Sequence, residues 1–290
     1  MQQAQTQTWG ETAERPERCW RISGMASCCA PLTRVEAPDP ALAHLFTRYE
    51  TWSPPSHDGG EPERAMWVLP GEARLMVIES AGRCSAMIGN RRYDTLPRVV
   101  LFGPTSRATR LTASGGSVVS IGLSALGWGG IVGRSAAALG DRVVAAVDVF
   151  DGRLVAALAD VLAADCASGV ADRIDAVLGT TPLPRCPDEP LVIGLSAIIA
   201  DGTVSVAEAA GEQLGVASHV VRRSALRHFG YPPKVLLNRR RFVHALERMI
   251  LSNRGYSEAA RHGYFDASHF IRDAKRFLGM TPRRFLALAA

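Results

Sequence analysis

The hydrophobic and polar positions divide the chain into stretches of different character. Residues 1–38 are rich in Gln, Thr, Glu and Arg without periodicity and read as a mobile N-terminal extension, with Met25 an alternative start inside it. In the short mixed segment that follows, Leu42, Leu45, Phe46 and Tyr49 recur at helical spacing. From Met66 onward the apolar residues come in short blocks bounded by Gly, Pro or Asn: 66–69, 75–78, 85–88, 99–102 and 118–121. Blocks of that length, with Gly89-Asn90 as a turn, predict a β-sandwich or barrel. After Trp128 the spacing turns helical. Leu154, Leu158, Val161 and Leu162 form one stripe, and a weaker segment runs from Ile174 to Leu178.

Residues 180–190 hold four prolines and predict an interdomain linker. Everything beyond reads as helix. Leu191 to Ile199 is a first helix, closed at Asp201-Gly202. Ser205 to Leu214 is a scaffold helix with Ser205 and Glu208 in a capping-box arrangement. Pro233 to about Leu251 is a long helix with Leu236, Val243, Leu246 and Ile250 on one face and Arg239, Arg240 and Arg241 around it. The expected fold is thus α+β in two domains. Residues 39–180 form a β-rich domain with trailing helices, 181–190 the linker, and 191–290 an all-α domain.

One pattern occurs twice in that all-α part. Ser218 to Gly230 superposes on Ala267 to Gly279 with a shift of 49 residues, matching Val221 to Phe270, Arg223 to Arg272, Ala225 to Ala274, Arg227 to Arg276, Gly230 to Gly279 and Pro233 to Pro282. On a helical wheel Phe270, Ala274, Phe277 and Leu278 share the inward face, while Ser268, Arg272 and Lys275 point out, flanked by His269 and Arg276. In the upstream copy Val221, Ala225, His228 and Phe229 face inward. His219, Arg223, Leu226 and Arg227 point out, with Val220 and Arg222 beside them. Asp266 is suited to cap the second helix, whereas Ala217 cannot cap the first. Gly230 and Gly279 stand where a helix ends in a left-handed residue.

A glycine turn between a short helix and a basic helix is a helix-turn-helix, whose second helix reads base edges in the major groove. Arg223 and Arg272, central on the exposed faces, suit bidentate contact to guanine. His219, Ser268 and His269 are supplementary base contacts. Arg227, Lys275 and Arg276 suit phosphates. A single amphipathic helix with arginines is ordinarily a solvated surface helix; two matched copies in one basic domain argue for a reader of DNA.

Charge supports this. The net charge of +5 conceals fifteen basic against seven acidic residues from Leu191 onward, +8, and eighteen against twenty-one before it, −3. A domain so charged selects a polyanionic partner. Enzyme readings find little to stand on. Upstream of the linker the histidines are His44 and His57, so a His-based metal site is not expected, and no paired motif supports a carboxylate site. A methyl-accepting repair cysteine would need a lowered thiol pKa, and Cys84 and Cys166 have no basic or metal-binding sequence neighbours. No cofactor is expected. No apolar run spans a bilayer and no secretory pattern opens the chain, so the expected location is the cytoplasm.

Gly263-Tyr264-Phe265-Asp266-Ala267-Ser268-His269-Phe270 through Phe277-Leu278-Gly279-Met280-Thr281-Pro282 resembles the signature of the AraC/XylS family of bacterial transcription regulators. The resemblance implies two helix-turn-helix units joined by a long helix. Base reading would pass through His219 and Arg223 in the first unit, and Ser268, His269 and Arg272 in the second. The sequence departs from the family at Ala225 and Ala274, where a large aromatic is usual, and at Gly211 inside the first scaffold helix. More weakly, Phe102 to Arg107 and Ser117 to Leu123 are similar to cupin-like sensor domains. The implied partners are double-stranded operator DNA, a small-molecule or protein effector, RNA polymerase and a second copy of the chain, with no membrane.

Overall fold

The apolar blocks of the β-rich half pair into two sheets. The computed structural model describes residues 22–23, 33–53, 64–79, 84–113, 115–162, 169–202, 207–252, 261 and 263–289. The strands are β1 (Ile22–Ser23), β2 (Thr33–Glu36), β3 (Phe46–Trp52), β4 (Arg64–Val68), β5 (Ala73–Ile78), β6 (Cys84–Ile88), β7 (Arg91–Tyr93), β8 (Val99–Phe102), β9 (Thr109–Ala113), β10 (Val118–Leu123) and β11 (Val143–Ala145). One sheet has the order β11-β8-β5-β10-β3-β2 and the other β1-β4-β9-β6-β7. The β1–β4 pair is parallel.

The helices that follow are α1 (Ala125–Gly127), α2 (Gly152–Ala159) and α3 (Val170–Thr180) in the β-rich half. Beyond the proline-rich stretch come α4 (Glu189–Asp201), α5 (Ala207–Leu214), α6 (Ser218–Ser224), α7 (Pro233–Ser252), α8 (Ala267–Phe277) and α9 (Pro282–Ala289).

Strands β5 and β8 are buried at every position because their sheet is covered on both faces. Met76, Ile78, Val100 and Phe102 join Met66, Val68, Ile88 and Leu111 between the sheets. The alternate residues Leu75, Val77, Val99 and Leu101 pack with Leu158, Val161, Leu162 and Ile174 from the region of α2 and α3. Both faces being apolar, these strands read in sequence as solid blocks.

Three expectations change. The helical spacing at Leu42 to Tyr49 belongs to a turn followed by β3, whose pairing with β10 and β2 overrides the local pattern. Thr33–Glu36, inside the stretch read as a mobile extension, forms β2 and pairs with β3. Val143–Ala145, within the region read as helical, pairs with β8 as an edge strand. The capping pair Ser205–Glu208 lies outside the described residues, apart from Glu208 itself.

The two halves share a core. In β4, Met66 and Val68 face the sandwich, so the alternate residue Trp67 faces outward. There it meets Phe285 of α9 edge-on, ring centroids 5.3 Å apart. Leu69 and Ala108 join the same cluster as Phe242, Phe270 and Phe277. The Ala108 N–H donates to the Phe277 carbonyl at 2.7 Å, satisfying one of the acceptors left free at the end of α8. Arg239 of α7 is buried and donates to the carbonyls of Gly71 (3.0 Å) and Thr105 (2.8 Å). Burial pulls its pKa down. The Tyr231 hydroxyl donates to the Pro104 carbonyl. The proline-rich stretch is packed as well: Cys186 is buried, leaving no room for a side chain at Gly129.

Candidate nucleic-acid interface

The second reader, α8, is built as its sequence dictates. The Asp266 carboxylate accepts from the His269 N–H at 2.7 Å and caps the helix. Phe270, Ala274, Phe277 and Leu278 are buried. Phe242 of α7 lies against both Phe270 (5.4 Å) and Phe277 (5.3 Å), so α7 supplies aromatic packing beside the small Ala274. The helix closes at Gly279, φ +77°. Ser268, Arg272, Lys275 and Arg276 are exposed. Arg276 lies over the Phe277 ring. His269 is half-buried, edge-on to Tyr264 at 5.1 Å, which makes it partly structural.

A polar anchor beneath this helix was not singled out from sequence. Asp273 is buried on the inward face and accepts from the Tyr264 hydroxyl (2.8 Å), with Arg241 of α7 at 3.4 Å. Burial and then the Asp273 charge push the Tyr264 hydroxyl pKa up. The signal was present: Asp273 falls three residues after Phe270, on the apolar stripe, as Arg239 falls three after Leu236. A polar residue on such a stripe needs a buried partner.

The first reader is α6 continued by a π-helical turn, Ala225–Phe229, closed by Gly230 at φ +83°. Val221, Ala225 and His228 are buried as expected; Ser224 is buried too, and Phe229 half-buried. Ala217 starts the helix without a side-chain cap. Gly211 in α5 is explained by contact: a Cβ there would sit 2.6 Å from the Val216 carbonyl oxygen, so glycine lets the turn close onto the scaffold helix.

His219, Arg222, Arg223 and Arg227 are exposed and Val220 half-buried. Four of these (His219, Arg222, Arg223, Arg227) share a cleft of about 550 Å³ with Leu226 and with Gly133 and Ser135 of the β-rich half. The Ser135 hydroxyl donates to the Leu226 carbonyl at 3.5 Å. Leu226, expected to point out, is half-buried where the β-rich half flanks the reader.

Below the first reader, Cys186 Sγ lies 3.9 Å from His228 Nδ1, and His228 Nε2 lies 3.0 Å from the Asp188 carboxylate. Arg227 joins Asp188 at 3.7 Å. A Cys-His-Asp line of this kind resembles a nucleophile relay, but its electrostatics run the wrong way. Burial pushes the thiol pKa up, whereas a nucleophile needs it lowered. The group packs the linker onto the reader. Among the described residues there is no cluster of three or more metal-ligating side chains, and no helix long and apolar enough to cross a membrane.

Two basic helices with outward cationic faces, joined by one long helix, suit a domain that binds DNA. Residues 211–287 match the family model described as a helix-turn-helix domain. No curated protein sequence matches the chain. Among solved structures, ToxT from Vibrio cholerae O395 is 11% identical, covering 85% of this chain and 99% of that one with a TM-score of 0.44. Unsaturated fatty acid-bound wild-type ToxT from Vibrio cholerae strain SCE256 gives 10%, 89%, 95% and 0.45. The AraC-like transcriptional activator CuxR gives 12%, 74%, 87% and 0.29. Structural likeness at these scores adds nothing to the family match. The C-terminal region is a helix-turn-helix domain, and the chain is a DNA-binding transcription regulator.

Proposed function

We propose that the two readers enter successive major grooves on one side of a duplex, from a single chain. The observation that carries this is the matched exposure of Arg223 and Arg272 on equivalent helices held by α7. With 20 residues, α7 is about 30 Å long at 1.5 Å per residue, close to the ~34 Å between major-groove faces. Arg223 and Arg272 read guanine. His219, Val220, Arg222, Ser268 and His269 contribute neighbouring contacts. Arg227, Lys275 and Arg276 hold phosphates and set register.

The domains on this reading are a β-rich one that takes in β2 and runs to residue 180, and 191–290, with 181–190 joining them. The first regulates the second by gripping both readers: through Ser135 and Leu226 on one side, and through Ala108 and Phe277 on the other. The effector is a small amphipathic molecule held in a cleft of about 570 Å³ between the halves. The cleft wall includes Arg48, Glu50 and Arg74 from the sandwich, and Ile193, Leu236, Arg239 and Val243 from the helices. A molecule seated there touches both halves, so it can shift the angle between them by as much as its affinities for the two arrangements differ.

The test is enrichment of duplexes from a random pool by the full-length protein at moderate ionic strength. A site with two half-sites about one helical turn apart supports the proposal. A site read in one groove refutes the two-reader arrangement.

A further inference from the structure

The turn that leads into the second reader carries a residue the reading by arginine leaves unused. Phe265 is 96% exposed, more than any other large apolar side chain among the described residues. The backbone is pinned on both sides of it. Tyr264 is buried against Phe270 and bonded through its hydroxyl to Asp273. Asp266 caps α8 through the His269 N–H. The ring is therefore presented to solvent from a fixed turn at the N-terminal end of the reader.

That end is the part of a helix-turn-helix that enters the major groove. Close by are the exposed Ser268 and Arg272, a polar and cationic setting that fits nucleic acid better than an apolar protein surface. Within the major groove the apolar group is the C5 methyl of thymine, and a phenyl ring is a suitable partner for it. An aromatic held open to water at this position gains by covering that methyl.

We propose that Phe265 is a specificity-determining residue that selects a thymine in the half-site of the second reader by contact with its methyl group. The inference rests on the proposed insertion of α8 into the groove. It assigns to the second half-site an apolar determinant beside the guanine read by Arg272.

The test uses the full-length protein and the duplex it enriches. Each thymine in turn is replaced by deoxyuridine, which removes the methyl and leaves base pairing intact. One replacement in the second half-site should weaken the wild type by ~4-fold, the factor for one buried methyl-sized group. Phe265→Ala should bind the methylated site more weakly and lose that penalty, while Phe265→Leu keeps part of it. Thermal unfolding should be unchanged in both variants, since the ring is 96% exposed. An equal penalty in wild type and Phe265→Ala at every thymine overturns the inference and leaves the two-reader proposal standing. Enrichment of no site at all overturns both.

Discussion

Trp67→Ala perturbs the helix-turn-helix from the opposite half of the protein. Trp67 points away from the sandwich that its neighbours Met66 and Val68 fill, and packs against Phe285 and the core beneath α8. Truncating a buried tryptophan costs ~3–5 kcal/mol, a figure that includes about 0.5–1.5 kcal/mol for an edge-to-face aromatic pair. Because the lost contacts lie on the helical side, the cost falls on the second reading unit and spares the sheets. Backbone hydrogen exchange of the full-length protein is the assay. At ~3 kcal/mol, amides in α8 and α9 that exchange through opening of this unit should do so about two orders of magnitude faster. Amides of β5 and β8 should keep their protection. Specific DNA binding should fall as well, although Trp67 lies in a strand of the sandwich. The reasoning is refuted if exchange quickens in the sandwich and stays unchanged across 267–289, because the halves would then be independent.

Other perturbations separate the roles assigned to single residues. Arg272→Ala should lower specific affinity by ~1–3 kcal/mol and relax preference at one base pair; an equal loss on every sequence, measured by competition binding, contradicts a base-reading role. Lys275→Ala should weaken all sequences alike and reduce the slope of log affinity against log salt by ~0.9, and an unchanged slope removes it from the phosphate set. Asp266→Ala should destabilise the protein by ~1 kcal/mol through loss of the cap, seen as a lower urea midpoint at unchanged slope. The His228 hydrogen bond holds the Asp188 carboxyl below the usual carboxylate range. A depressed carboxylate pKa stabilises above the unfolded value and loses that contribution as pH falls through the folded one. The excess stability of wild type over Asp188→Asn should therefore be full near neutral pH and shrink below about pH 4; a difference that does not vary with pH would show that the ion pair does not anchor the linker.

Sequence reached furthest where structure is local or periodic. Phe270, Ala274 and Phe277 mark the buried stripe of α8, Asp266 its cap, Gly230 and Gly279 the reader ends, and the apolar blocks match β4, β5, β6, β8 and β10. Strand β3 was hidden because Leu42 and Leu45, in the preceding turn, extend the spacing of Phe46 and Tyr49 into a false helical period. The shared core was out of reach for a different reason. Trp67 and Phe285 are far apart in the chain, and nothing in the periodicity of either segment names the other. Arg239 shows the same limit: its place three residues after Leu236 puts it on the apolar stripe of α7, but only the fold shows that its partners are the Gly71 and Thr105 carbonyls. The exposure of Arg223 and Arg272 was legible because a repeated pattern fixes their phase, whereas the flanking of Leu226 by Ser135 depends on how the halves meet.

The central claim is that one chain reads two successive grooves. Methylation interference at guanine N7, with full-length protein bound to its enriched duplex, tests it directly. The account predicts two clusters of interfering guanines about one helical turn apart on one face, the one lost in Arg223→Ala and the other in Arg272→Ala. A single cluster, or two clusters that both survive these substitutions, contradicts it.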